Sequence, residues 1–307
     1  MVVEILLVLG GLVLLVLGGD LLVKGAVGLS LKLGMTPLVV GLTVVAFGTS
    51  APELLVSLSA ALKGSSGIAM GNVVGSNIAN VLVILGVTAL VSVIVTKGHD
   101  LRESWAMMIG ASVLMIALAF TGEIGRIEGM ILLAALALVL WRQLTTGRAD
   151  AADVDGTTLG AGWGRIALWM GAGLVLLPVG ANLLVSGATD IALAFGISET
   201  VIGLTLVAVG TSLPELAASV ASALKGRADM ALGNVVGSNI FNILAILGIT
   251  AVVSPLPVPP EMLRLDLWVM LGASLLLAPF LLRGFSLSRP VGAAFVVMYG
   301  AYAWVLL

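Results

Sequence analysis

The chain has 307 residues, of which 60% are hydrophobic and only 10% are charged, and its mean hydropathy is +1.22. A soluble domain is about 25% charged, so this composition excludes an ordinary soluble globular protein. The chain contains no cysteine and a single histidine, His99, which excludes disulfides, thiolate metal sites and histidine clusters, and its net charge of −2 gives no indication of a nucleic-acid partner.

Hydrophobic runs separated by glycine, proline or charged residues predict ten membrane-spanning helices, because one span needs about 20 apolar residues. We therefore expect an all-α polytopic membrane protein. The N-terminal sequence lacks a basic region and a small-residue cleavage site, so the first helix should be retained. The predicted helices cover residues 2–32, 37–62, 68–94, 103–120, 124–142, 165–195, 199–224, 230–252, 264–282 and 288–306.

The ten predicted helices divide into two sets of five. A polar, glycine-rich stretch at 144–164 predicts a cytoplasmic linker between a first repeat at 1–143 and a second repeat at 165–307. The proline-rich residues 254–261 predict a loop between two helices of the second repeat.

An internal repeat relates the two halves. An alignment without gaps pairs GLTVVAFGTSAPELLVSLSAALKG from Gly41 with GLTLVAVGTSLPELAASVASALKG from Gly203. The same offset of 162 residues pairs GNVVGSNIANVLVILG from Gly71 with GNVVGSNIFNILAILG from Gly233. Because five helices, an odd number, separate equivalent points, the second repeat should be inverted in the membrane. Inverted repeats with discontinuous helices are typical of transporters, with the binding site at the midplane where the repeats meet.

The basic residues predict the orientation independently, because cytoplasmic loops are enriched in lysine and arginine. With the N-terminus outside, eleven basic residues fall on the cytoplasmic side, and only Lys63, Arg126 and Arg264 fall outside. We therefore expect both termini on the extracytoplasmic side of a plasma (inner) membrane.

Glu53 and Glu215 occupy equivalent positions inside apolar helices, and the repeated motifs contain no lysine or arginine within the helices to pair with them. An acidic residue at membrane depth is costly unless it is paired or faces a cavity. Pro52 and Pro214 should break each helix just before its glutamate and free backbone carbonyls. Two protonated carboxylates that serve only packing are the alternative, but the duplicated context favours a cation site.

Each glutamate shares a helix face with small and polar residues, as judged at about 100° per residue. The two faces carry identical residue types, which predicts two equivalent polar stripes. They contain Thr43, Ala46, Ser50 and Ser57 in the first repeat and Thr205, Ala208, Ser212 and Ser219 in the second.

In the GNVVGSN motif of each repeat, amides and hydroxyls occupy one helix side and two glycines occupy another. The glycines should permit close approach of a neighbouring helix. The first asparagine, Asn72 or Asn234, can bond across helices for packing as readily as it can bind an ion. The residues better placed to face the glutamates are Ser76, Asn80, Ser238 and Asn242.

All of these candidate ligands are oxygen atoms, which hard cations prefer. Ca²⁺ takes six to eight oxygens at about 2.3 to 2.6 Å, and Na⁺ accepts similar donors. Two carboxylates are balanced by one Ca²⁺ or by two or more monovalent ions. A site that can be filled in either way predicts an exchanger.

The motifs GTSAPE with GNVVGSNIAN and GTSLPE with GNVVGSNIFN resemble the two α-repeats of the cation/Ca²⁺ antiporter superfamily, in particular the sodium/calcium exchanger family and its prokaryotic members. The resemblance covers the whole ten-helix architecture. It implies exchange of Ca²⁺ for Na⁺ by alternating access, with the first and sixth helices sliding against the rest. We expect no cofactor and no enzymatic activity, and we expect a monomer in the lipid bilayer.

The resemblance also implies the ion ligands. Glu53 and Glu215 would bind Ca²⁺ together with main-chain oxygens, and flanking residues would form the Na⁺ sites. The candidate set comprises Glu53, Glu215, Thr49, Thr211, Ala46, Ala208, Ser50, Ser212, Ser76, Ser238, Asn80 and Asn242.

One position departs from part of the superfamily. Several relatives, including potassium-dependent ones, carry an aspartate where this chain has Asn242. Asparagine at both Asn80 and Asn242 resembles the potassium-independent exchangers, so we expect no role for potassium. The linker is also too short for the regulatory calcium-binding domains of animal exchangers.

Two other functions compete with Na⁺/Ca²⁺ exchange. Protons on Glu53 and Glu215 could replace sodium without a change of ligand, which would give an H⁺/Ca²⁺ antiporter. Ser50, Ser212 and the freed carbonyls supply oxygens that sodium needs and protons do not, so the sequence favours sodium. A membrane-embedded hydrolase would use the two acids, but no separate nucleophile accompanies them.

Overall fold

The computed structural model describes residues 2–96, 101–146, 161–196 and 208–306. His99, most of the predicted linker and Thr205 lie outside the described residues. Two antiparallel strands, β1 (Glu123–Ile124) and β2 (Leu256–Pro257), form a two-residue pair between helices. The helices are α1 (Val2–Leu33), α2 (Pro37–Thr49), α3 (Ala51–Leu62), α4 (Ser66–Val91), α5 (Arg102–Ala119), α6 (Arg126–Thr146), α7 (Trp163–Ala194), α8 (Ala208–Gly210), α9 (Leu213–Leu224), α10 (Ala228–Val253), α11 (Met262–Arg283) and α12 (Arg289–Leu306).

The described residues contain eight helices that are long and apolar enough to cross a membrane, or nine if the bent pair α2 and α3 forms one span. The predicted seventh helix starts at residue 199, outside the described part, and its described portion α9 has only 12 residues. The prediction of a polytopic helical membrane protein is therefore confirmed. The tenth span and the inversion of the second repeat stay predictions.

Two predicted helices extended too far at one end. The third ends at Val91, and Ile94 exchanges backbone hydrogen bonds of 3.1 and 2.9 Å with Leu287. The fifth begins at Arg126, because Ile124 belongs to β1. β2 lies inside the proline-rich stretch that was predicted as a plain loop. Short apolar runs with β-branched residues fit a strand as well as a helix, so hydrophobicity alone misplaced these ends.

Local sequence signals explain where the helices around the breaks begin and end. Thr36 caps α2, its hydroxyl accepting from Val39 N at 3.3 Å, and Pro37 occupies the first helical position. Helices α3 and α9 are followed by Gly64 and Gly226, whose φ angles of 76° and 72° only glycine adopts readily. These glycines stop both helices at equivalent places in the repeats.

The helices that carry the GNVVGSN motifs form the centre of the bundle. In the most apolar 18 residues of each helix, 78% of α4 and 89% of α10 is buried inside the protein, whereas only 11% of α12 is buried. Both central helices widen into a π-helix, at Asn80–Ile84 in α4 and at Asn242–Leu247 in α10. Single π-helical turns are frequent at functional sites, and each of these begins at a candidate ligand.

The long helices α1 and α7 pack against each other through glycines spaced seven residues apart. A Cβ at Gly11 would lie 2.6 Å from the Gly180 carbonyl oxygen, and a Cβ at Gly180 would lie 2.9 Å from the Gly11 carbonyl oxygen. Gly18, Gly173 and their neighbours meet the facing helix in the same way, which allows close approach of the two backbones. The buried side chains of α1 and α7 form a core cluster with residues of α2, α9 and the start of α10, whereas those of α4 belong to a different cluster.

Candidate ion-binding site

The predicted break before each glutamate is present. Helix α2 ends at Thr49 and α3 begins at Ala51, with a bend of 44° between them. Pro52 lies in the first turn of α3, where its missing N–H would have had no helical partner. Among the described backbone hydrogen bonds across this break, none ends on the carbonyl oxygen of Thr49. The second repeat has the same kind of break between α8 and α9.

The two carboxylates lie at these breaks and are joined crosswise to the opposite repeat. Glu53 and Glu215 are each 1% exposed. Ser50 Oγ donates to Glu215 Oε1 at 2.9 Å, and Ser212 Oγ donates to Glu53 Oε1 at 3.3 Å. Each serine precedes the glutamate of its own repeat by three residues, so the four side chains form one cluster at the contact between the repeats.

The remaining oxygen of each carboxylate has no partner in the described part of the chain. Oε2 of Glu53 and Oε2 of Glu215 are buried and accept no hydrogen bond from any described residue. None of the ion pairs in the described part of the chain involves either glutamate. Two buried carboxylates without a counter-charge are costly unless a cation or protons neutralise them.

An asparagine fixes the start of each glutamate-bearing helix. Asn72 Nδ2 donates to the Glu53 carbonyl oxygen at 3.0 Å and to Ser57 Oγ at 2.8 Å. Asn234 makes the equivalent two bonds in the second repeat, at 3.2 and 3.0 Å. Of the two roles predicted for these asparagines, the structure shows cross-helix bonding, which locks the rotation of the helix that carries the carboxylate.

The π-helical turns bring Asn80 and Asn242 towards the same cluster. The turn that begins at Asn80 packs against α9, which carries Glu215, and the turn that begins at Asn242 packs against α3, which carries Glu53. Asn80 Nδ2 donates to Asn239 Oδ1 at 3.0 Å. The side-chain carbonyl oxygens of Asn80 and Asn242 are buried and have no partner among the described residues.

Eleven of the twelve candidate residues have described side chains, and all are buried except Thr211, which is half-buried. Ala208 begins α8, and its side chain lies outside the described part. Buried oxygens without a partner cost free energy, and a bound cation supplies that partner. The candidates with such an oxygen among the described residues are Glu53, Glu215, Asn80, Asn242, Thr211 and Ser238.

The donor set is poor in acids. In the described part of the chain no group of three or more His, Cys, Asp or Glu side chains could hold a metal ion. A cation at this position would depend on two carboxylates supplemented by amide, hydroxyl and main-chain oxygens. Such a set of oxygen ligands suits a hard cation better than a transition metal.

Sequence reasoning did not select Asn77 and Asn239 as site residues. Asn239 contacts Asn80 across the repeats, and Asn239 Nδ2 donates to the Asn77 carbonyl oxygen at 3.3 Å. Their presence in both GNVVGSN motifs was the available signal. The signal did not distinguish an amide that faces the cluster from one that bonds to its own helix, as Asn77 Nδ2 does with Val73 O at 2.8 Å.

Comparison with known proteins identifies relatives over the whole chain. The family model for the sodium/calcium exchanger protein matches residues 3–145 and 165–307. The putative antiporter CaxA of Alkalimonas amylolytica is 38% identical over 322 residues, covering 100% of this chain and 99% of that protein. The sodium/calcium exchanger MaX1 of Methanosarcina acetivorans is 36% identical over 344 residues, covering 99% of this chain and 98% of that protein.

A solved structure shares the fold. The sodium-calcium exchanger NCX_Mj, soaked with zero Na⁺ and Ca²⁺, superposes with a TM-score of 0.87 at 32% sequence identity. The match covers 100% of this chain and 99% of the other.

Proposed function

The chain belongs to the sodium/calcium exchanger protein family, and we propose that it is a secondary active antiporter that exchanges Ca²⁺ for Na⁺ across the plasma membrane. Either one Ca²⁺ or a set of Na⁺ ions binds at a single site near the bilayer midplane. The site opens alternately to the two sides of the membrane.

One observation carries this proposal. Glu53 and Glu215 are buried together, each bound by a serine of the opposite repeat, and each retains an oxygen without a partner among the described residues. The charge of −2 requires one divalent cation or two monovalent charges. Because the same oxygens accept either set, binding of one ion displaces the other, which is the requirement for exchange.

The architecture that we propose has ten spans in two inverted five-helix repeats, with both termini extracytoplasmic. The duplicated sequence and the uneven distribution of basic residues support it. In the protein, which lacks cysteine, single cysteines at Ser65 and Ala149 should react with an impermeant thiol reagent from opposite sides. Labelling of both positions from one side would contradict the inverted arrangement.

Alternating access requires one group of helices to move relative to another. Helices α1 and α7 pack on each other through glycines and share no core cluster with α4, which supports their movement as a pair against α4. The protein needs no second copy for this movement, so we propose that the monomer is the functional unit.

Sodium is the coupling ion that we propose, and protons are the alternative. The hydroxyls of Ser50 and Ser212, together with the carbonyls freed at the helix breaks, supply oxygens that Na⁺ binds. The name of the relative MaX1, sodium/calcium exchanger, supports the same choice. A proton on each glutamate would satisfy the charge equally well, so the two coupling ions must be separated by experiment.

The experiment compares two gradients. The purified protein is reconstituted into liposomes, and Ca²⁺ uptake is measured under an outward Na⁺ gradient or under a pH gradient of equal driving force. We expect uptake with the Na⁺ gradient and little with the pH gradient. Uptake driven by the pH gradient alone would show an H⁺/Ca²⁺ antiporter, and no uptake under either would refute Ca²⁺ antiport.

A further inference from the structure

We propose that Asn239 is a positioning residue that orients the Asn80 side-chain amide, so that the carbonyl oxygen of Asn80 and not its NH₂ group faces the cation. The proposal rests on the proposed function, because it assumes that a cation binds near Glu53 and Glu215. It concerns a residue that has no place in the predicted ligand set.

The backbone oxygen of Asn77, which can only accept a hydrogen bond, determines the orientation of the Asn239 and Asn80 side-chain amides. The two ends of an asparagine amide have nearly the same shape, so their orientation is decided by their hydrogen bonds. The Asn77 backbone oxygen can only accept, so Asn239 must present its NH₂ group to it, at 3.3 Å. The same NH₂ group lies 3.6 Å from Met108 Sδ, a weak acceptor, which agrees with this assignment.

The carbonyl oxygen of Asn239 consequently faces Asn80. It accepts from Asn80 Nδ2 at 3.0 Å, so the NH₂ group of Asn80 is held by the opposite repeat. Asn80 Oδ1 then points away from this bond, and it is buried without a partner among the described residues. A cation requires an acceptor oxygen, and a flipped amide would present two N–H donors to it.

The arrangement is one-sided, although the motif is repeated. Asn77 is the equivalent of Asn239, but its Nδ2 donates to Val73 O of its own helix at 2.8 Å. Asn77 Oδ1 has no partner among the described residues, so no described bond from Asn77 holds Asn242 as Asn239 holds Asn80. Asn77→Leu is therefore a matched control for Asn239→Leu: same residue type, same motif and the same 1% exposure.

A double-mutant cycle tests the proposal. Ca²⁺ binding to the purified full-length protein is measured by titration for the parent, Asn239→Leu, Asn80→Ala and the double variant. Mutation of a residue that orients a metal ligand typically lowers the metal affinity by about 10 to 100-fold. We expect Asn239→Leu to weaken Ca²⁺ binding about tenfold and Asn77→Leu to weaken it less. In the Asn80→Ala background, Asn239→Leu should cause no further loss, because Asn239 acts through Asn80.

The possible results separate this inference from the proposed function. If the parent binds Ca²⁺ but the losses from Asn80→Ala and Asn239→Leu multiply, Asn239 acts through general packing and this inference is wrong. If the parent binds no Ca²⁺, the proposed function fails and this inference fails with it. If Asn239→Leu does not fold, Asn239→Ser, which is too short to reach Asn80, replaces it in the same cycle with the same expected result.

Discussion

The sequence GNVVGSN occurs in both repeats, but its residues make different contacts in the first repeat and in the second. Asn234 is fully buried, and its Oδ1 accepts from Thr49 Oγ1 of the opposite repeat at 3.3 Å. Asn72 is half-buried, and Thr211 Oγ1, the equivalent of the Thr49 hydroxyl, has no partner among the described residues. The motif thus determines which groups reach the site, and the packing around it determines which bonds they make.

The glycines of the motif show the same contrast. A Cβ at Gly233 would lie 2.8 Å from the Leu38 carbonyl oxygen, so α10 is in close contact with α2. Gly71 is exposed, and no described atom lies within 4 Å of a Cβ built on it. The same motif therefore meets a tightly packed helix in the second repeat and no close described neighbour at the equivalent glycine of the first.

The largest expected effect concerns what the repeats have in common. Glu53→Gln and Glu215→Gln should each reduce Ca²⁺ uptake by more than about 100-fold, because each removes half of the charge of the site and a divalent ion loses about twice the Coulomb energy of a monovalent one. The amide keeps the size of the side chain, so the protein should still fold.

Liposome uptake assays and thermal unfolding of the same preparations check this expectation. Glu123→Gln, at an exposed position on β1, is the control for loss of an acid elsewhere in the chain. If either variant at the site transports at the parent rate, its carboxylate serves packing and the two repeats do not contribute equally.

A smaller effect should separate the repeats. Asn234→Ala removes two hydrogen bonds to the helix that carries Glu215, and it also removes the oxygen that accepts from Thr49. Asn72→Ala removes only the two equivalent hydrogen bonds to the helix that carries Glu53. We expect a loss of Ca²⁺ affinity of about tenfold for Asn234→Ala and a smaller loss for Asn72→Ala. Binding titrations of both variants test this order, and equal losses would show that the described asymmetry does not matter for binding.

Asn242→Asp tests the balance of charge in the second repeat. It would add a third carboxylate near Glu53 and Glu215, and crowded carboxylates cannot all remain ionised without counter-charge. Protons should then compete with cations, so the transport rate of the variant should rise more steeply with pH than that of the parent.

Exchange measured between about pH 6 and 9 in both proteins shows whether the profiles differ. A new sensitivity to potassium would indicate that the added charge recruits another monovalent ion. Profiles that superimpose would place Asn242 outside the ion cavity.

The smallest expected effect concerns a sequence difference between the repeats. Lys225 at the end of α9 pairs with Asp20 of α1 at 2.6 Å, and Lys24 pairs with the same carboxylate at 2.7 Å. The equivalents of Asp20 and Lys24 are Asn182 and Ser186, which bond to each other at 3.2 Å. The charged cluster therefore ties α1 to α9, and the second repeat replaces it with a neutral pair.

Partly exposed ion pairs contribute about 0 to 1 kcal/mol, so Asp20→Asn should change the transport rate by at most about fivefold. The effect should shrink at high salt, where surface charges are screened. Uptake rates of Asp20→Asn and of the reciprocal variant Asn182→Asp at two ionic strengths provide the check. A loss of more than about 100-fold would mean that Asp20 has a role in ion transport itself.

The sequence predicted the helical membrane fold and the repeat, because hydrophobic runs and a 162-residue offset are properties of the chain itself. It also predicted the helix break at Pro52, because a missing N–H acts locally. It did not predict the crossed bonds of Ser50 and Ser212, since these depend on how two distant segments meet. The one-sided bonding of Asn239 was also beyond prediction, because Asn77 has the same neighbours in sequence.

We propose that the two repeats build a single shared cation site, not one site each. Calorimetric titration of the purified protein with Ca²⁺ in sodium-free buffer tests it directly. We expect one Ca²⁺ per chain for the parent and none for Glu53→Gln or for Glu215→Gln. Two Ca²⁺ per chain in the parent, or one retained by either variant with unchanged affinity, would contradict the shared site.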